Sequence, residues 1–129
     1  MKRNLMLTIT SLLSILFFTF HHADDVRRGL APGGLINLVV VGFLAVWLYG
    51  TLAFTERRAG YVIILLFSLL GLFIPAIHMT GSGLAGSKIA NSGGAFFFVW
   101  TLLAFGVTAL CSVILAARRL WGLRQGSSS

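Results

Sequence analysis

The residues of this chain best suited to chemistry lie in one stretch, Phe20-His21-His22-Ala23-Asp24-Asp25-Val26-Arg27-Arg28, where an almost wholly apolar run ends in six ionisable side chains. The third histidine, His78, closes another apolar run much further along. If the helix begun by the first run continues through the cluster, His21 and Asp25 stand at i and i+4 and His22 and Asp25 at i and i+3. An imidazole and a carboxylate then share a face. Neutral imidazole and carboxylate together suit a divalent metal such as zinc, so His21, His22, Asp25 and His78 are the candidate ligands, with Asp24, Asn37 and Arg28 as possible support. The same groups could instead relay protons, because histidine titrates near neutrality and a partner carboxylate tunes it. They could also be an ordinary solvated helix end, with Asp24 and Asp25 paired to Arg27 and Arg28 at little energetic gain.

A haem held between His21 or His22 and His78 is a further candidate, although no CxxCH attachment sequence is present. Hydrolytic metal chemistry has no HExxH helix to support it. Gly81-Ser82-Gly83-Leu84-Ala85-Gly86 matches GxGxxG in letters only. The dinucleotide fingerprint works between a strand and a helix of a βαβ unit, and here the glycines follow an apolar helix, so a flexible loop is expected. Lys88 does not make it a phosphate loop, because the GK[ST] order is missing.

The elements that must position these residues are membrane spans. The chain is 57% hydrophobic and 10% charged, with a mean hydropathy of +0.95, whereas soluble domains carry about 25% charged residues. Four apolar runs, Leu5 to Phe20, Gly34 to Phe54, Gly60 to Met79 and Gly94 to Ala117, fill most of the 129 residues. Roughly 20 residues of helix cross a hydrocarbon core. The last three runs suffice, and the first does so only if its helix runs on into the charged cluster. Spanning strands would alternate in polarity, which none of these runs does.

The expectation is therefore an all-α integral membrane protein, an up-down-up-down bundle of four antiparallel transmembrane helices at about 4–28, 34–55, 60–80 and 93–118. Residues 1–125 form this single domain and 126–129 read as a linker-like tail. Met1-Lys2-Arg3 before an apolar run mimics a signal peptide, but no small-x-small cleavage site follows, so the first helix is expected to be retained.

Basic residues set the orientation, since Lys and Arg in short loops stay on the cytoplasmic side. With both termini inside, Lys2, Arg3, Arg57, Arg58, Arg118, Arg119 and Arg124 lie inside, against Arg27, Arg28 and Lys88 outside. A bacterial inner membrane is the expected location. The net charge of +7 is then a topology signal and an attraction for anionic head groups, not a nucleic-acid footprint.

Depth arithmetic gives the sharpest expectation. His21 lies 16 residues beyond Leu5 and His78 lies 18 beyond Gly60, which at about 1.5 Å per residue is roughly 24 Å and 27 Å of rise. Both histidines reach one outer layer, with Asn37 slightly deeper and Asp24 and Asp25 slightly shallower. Pro75 should leave the carbonyl of Gly71 unpartnered and kink the third helix.

Small residues invite close helix contact at Gly42, Ala45 and Gly50 on the second helix and at Ala104, Gly106 and Ala109 on the fourth. Trp47, Tyr49, Tyr61 and Trp121 fall where interfacial anchors are expected. Cys111, alone, is a packing residue. Three function classes follow: a transporter or channel subunit acting as a homo-oligomer with the outer His/Asp layer as its entry site; an accessory or scaffold subunit of a larger membrane complex; and a metal- or haem-dependent membrane enzyme.

Overall fold

The structure, a computed structural model, describes residues 4–80 and 87–126. Among them are five helices and no strand: α1 (Leu5–Arg28), α2 (Leu35–Ala53), α3 (Arg58–Met79), the single turn α4 (Ser87–Ala90) and α5 (Ala95–Gly126). All but α4 are long and apolar enough to cross a membrane. The glycine-rich 81–86 segment with its GxGxxG letters, and residues 127–129, lie outside the described residues.

α1 runs through the charged cluster, because no residue before Gly29 breaks it. It stops there as Gly29 takes a left-handed conformation (φ 67°) and the Leu30 N–H turns back to the Asp25 carbonyl at 2.9 Å, a glycine C-cap. The fourth span is longer than the expected 93–118. It continues through Arg118, Arg119 and Arg124 to Gly126, since that stretch holds no proline and cations suit the end of a helix. Gly126 is thus the last helical residue rather than the first of a tail. Its 32 residues measure about 48 Å, against a hydrocarbon core of about 30 Å.

α1 and α3 both pack on α5, and α2 leans on α1 and α3. One third of the most apolar window of α1 and of α5 is buried, against 17% for α2 and α3, so α1 and α5 make the centre of the bundle. Ile15, Phe18, Trp47, Phe105 and Ala109 form the middle core. Leu7, Tyr61, Ile64 and Ala116 close one end, and Ile89, Phe98 and Leu102 the other.

Close approach falls mostly on α3 and α5. A Cβ on Gly71 would stand 2.7 Å from the Phe105 ring, and one on Gly106 would touch the Pro75 ring at 3.4 Å. α3 remains helical across Pro75, and this packing fixes the last turn of α3, which carries His78. On α2 only Gly50 works this way, against Ile63. Gly42 has nothing within 4 Å and Ala45 is exposed, because that face of α2 points out of the bundle.

Two of the four expected interfacial aromatics are interior residues instead. Trp47 is completely buried, with its indole N–H donated to Ser11 Oγ at 3.0 Å. Tyr61 is buried and accepts a hydrogen bond from Asn4. Each has an apolar body and one polar atom, and a buried partner satisfies that atom as well as interfacial water does. Tyr49 and Trp121 are exposed.

Candidate functional site

The last turns of α1 and α3 and the second turn of α5 meet at one end of the bundle. His21, Asp25 and His78 converge there, with one ligand atom of each within 4.8 Å of the others. Asp25 Oδ2 stands 3.7 Å from His21 Nε2 and 3.3 Å from His78 Nε2. His21 is fully buried, Asp25 nearly so, and Phe98 walls both rings, with centroids 4.7 Å from His21 and 5.6 Å from His78.

Hydrogen bonding on the far side of each imidazole decides what it offers. His78 Nδ1 lies 2.9 Å from the Ile74 carbonyl, which can only accept, so Nδ1 carries a proton and Nε2 is the atom turned to Asp25; a neutral ring offers Asp25 a lone pair there and a protonated ring an N–H. His21 Nδ1 lies 3.3 Å from Thr101 Oγ1. The one proton of the Thr101 hydroxyl has the carbonyls of Phe97 and Phe98 in reach at 2.8 and 3.1 Å; directed there, it leaves Oγ1 to accept from His21 Nδ1–H. In that tautomer the Nε2 of a neutral His21 ring is bare. Two imidazole Nε2 atoms and a carboxylate thus face one another, and His21 Nε2 and Asp25 Oδ1 are buried without a hydrogen-bond partner; with both rings neutral and protonated on Nδ1, all of these atoms are acceptors. Each unsatisfied buried acceptor costs about 1–3 kcal/mol. A cation in their midst would satisfy them all.

Asp24 and Asp25 have different fates because successive helical residues point about 100° apart. Asp24 turns to Arg28 Nε at 2.6 Å and Arg27 Nη2 at 2.8 Å. Arg28 Nη1 in turn donates to Ser92 Oγ at 2.7 Å, and its guanidinium lies over Phe98. The arginines therefore neutralise Asp24, and Asp25 is left to the histidines. His22 diverges from His21 for the same reason: its Nε2 lies 3.3 Å from Asn37 Oδ1 on α2, outside the three-residue group. Arg28 and Asp24 support the site by fastening the end of α1 to the segment before α5; Asn37 holds His22 only. His21 and His78 are in edge contact, with centroids 4.9 Å apart, and leave no slot for a haem plane between them.

Thr101, Ile74 and Phe98 were not legible as site residues. A threonine among apolar residues carries no signal of its own, and only the register of α5 against α1 sets it behind His21. A second polar group, Ser11, Thr51 and Trp47, was missed for the same reason.

An all-helical chain with four candidate membrane spans and a His/Asp group at one end is a small membrane protein. The chain matches no protein-family model, no curated protein and no solved structure.

Proposed function

We propose that this protein binds a cation at the outer end of an up-down-up-down bundle, with both termini on the cytoplasmic side of a bacterial inner membrane. The topology rests on the contacts Ser11 to Thr51, His22 to Asn37 and His21 to Thr101, which join early residues of one helix to late residues of its neighbour. The basic residues supply its orientation.

The observation that carries the cation reading is the convergence of His21, His78 and Asp25, with one ligand atom of each within 4.8 Å of the others and with His21 Nε2 and Asp25 Oδ1 buried without a hydrogen-bond partner. Buried groups of this kind inside a membrane domain are costly and mark ion or proton sites. His22 belongs to the edge of the site and not to its ligand set.

Transport by an oligomer is the second reading, favoured by a row of buried polar residues, Ser11, Ser14, Thr51, Ser68 and Ser112, beneath the site. Phe18 and Phe105, stacked at 5.2 Å, with Phe98 above them, separate that row from the histidines. A conduit would require these rings to part, so binding from one side is the simpler activity.

The test is metal analysis and proton-uptake titration of the purified protein beside the variant His21→Ala/His78→Ala. Binding of a metal or of protons by the wild type that the variant lacks is expected. Identical behaviour of the two proteins removes the cation reading. Uptake of the bound ion into sealed proteoliposomes, lost in the same variant, would establish transport over binding alone.

A further inference from the structure

Resting on that cation reading, we infer that the ion is a four-coordinate divalent transition metal of the zinc class, and that Thr101 is a positioning residue for it. Three observations lead there independently of composition. The donor set is two nitrogens and one carboxylate, whereas calcium and magnesium take shells of six or more oxygens and monovalent copper prefers sulfur. Ligands held 2.0–2.1 Å from an ion at tetrahedral angles stand about 3.3–3.4 Å apart. The Nε2 atoms lie 3.3 and 3.7 Å from Asp25 Oδ2, close to those edges. A single proton would bridge only one pair of acceptors and leave the third bare; a metal engages all three.

The second shell is also in place. Metal-bound imidazoles almost always donate their other N–H to an acceptor that fixes tautomer and ring orientation. Ile74 does this for His78 through its carbonyl. Thr101 is placed to do it for His21, its own proton having the Phe97 carbonyl of α5 as an acceptor at 2.8 Å. The fully buried Phe98 ring walls one side of both histidines. Three protein ligands leave a fourth position for a water or a small anion, the arrangement of an open zinc site rather than a closed structural one.

The test is titration of the full-length, chelator-stripped protein in detergent with Co2+ as the spectroscopic probe. Expected are the intense visible bands of four-coordinate Co2+, displaced by Zn2+ and insensitive to excess Ca2+ or Mg2+. Thr101→Val should weaken Co2+ binding about 10- to 100-fold, and Thr101→Ser should restore it; Thr101→Ala, which adds no bulk, replaces the valine variant should that fail to insert. Weak six-coordinate bands, displacement by Ca2+ or Mg2+, or unchanged affinity in both Thr101→Val and Thr101→Ala would overturn the inference. Absence of Co2+ binding together with proton uptake that His21→Ala/His78→Ala abolishes sinks the metal assignment and spares the cation reading. Absence of both differences sinks the two together.

Discussion

Two buried polar groups on the inner face of α1 follow opposite rules. In the middle of the bundle the Trp47 indole donates to Ser11 Oγ at 3.0 Å, and Thr51 donates to the Trp47 carbonyl at 2.8 Å. That leaves the Ser11 proton for Thr51 Oγ1 at 2.8 Å. Three donors meet three acceptors and the cycle closes. At the end of the bundle where α1 stops, His21, Asp25 and His78 converge with the Thr101 hydroxyl and the Ile74 carbonyl behind the two rings, and His21 Nε2 and Asp25 Oδ1 are left without a partner. The closed group needs nothing further and so reads as structural glue. On the proposed reading a cation completes the open group, and that incompleteness separates a site from a polar core.

If the comparison is right, damage to one group should leave the other's property intact. The largest effect is expected from Trp47→Ala, which empties the middle core: about 3–5 kcal/mol of stability lost, read by unfolding in mixed micelles, with Co2+ affinity unchanged in the fraction that remains folded. Asp25→Asn should do the reverse. It removes the only anionic ligand, so affinity should fall by more than the roughly 100-fold expected of the strongest outer-shell partner, while unfolding resistance holds or rises slightly as a buried charge disappears.

Acidity gives a graded version of the same contrast. An imidazole must be neutral to ligate, so acidification should weaken metal binding by up to about tenfold per pH unit for each histidine that takes up a proton. Equilibrium dialysis at stepped pH would read this, and a pH-independent affinity would show that imidazoles are not the ligands. The Ser11, Thr51 and Trp47 cycle carries no titrating group and should be indifferent.

Smaller effects sharpen the boundaries. Thr51→Val opens the closed cycle and should cost about 0.6 kcal/mol, up to about 1.7, the range of hydrogen bonds between membrane helices. A loss above that range would mean that the cycle holds more than its own residues. His22→Ala should leave Co2+ affinity unchanged, since that ring faces Asn37; a loss like that of His21→Ala would place His22 among the ligands and redraw the site.

Much of this was legible in the chain. Three spans followed from apolar runs long enough to cross a bilayer, and the continuation of α1 to Arg28 followed from the shortness of its apolar part. The meeting of His21 and His78 followed from counting residues up two helices that start at the same boundary. Depth is encoded along one helix, at about 1.5 Å per residue, and needs no partner to be read.

Rotation about the helix axis is different, because it is settled by what the neighbouring helices present. Whether Asp24 or Asp25 faced the histidines, whether His22 joined them, and whether Trp47 lay at the interface or in the core all depended on that angle. So did the role of Thr101, seventy-six residues after Asp25 in sequence and one turn of α5 from Phe98 in space. The sequence by itself determined that this is a membrane protein with its ionisable residues gathered at one end. Only the tertiary structure decided which of them face one another, because each helix's rotation is set by its neighbours: both imidazoles turn Nδ1 to a partner behind them and Nε2 towards the Asp25 carboxylate.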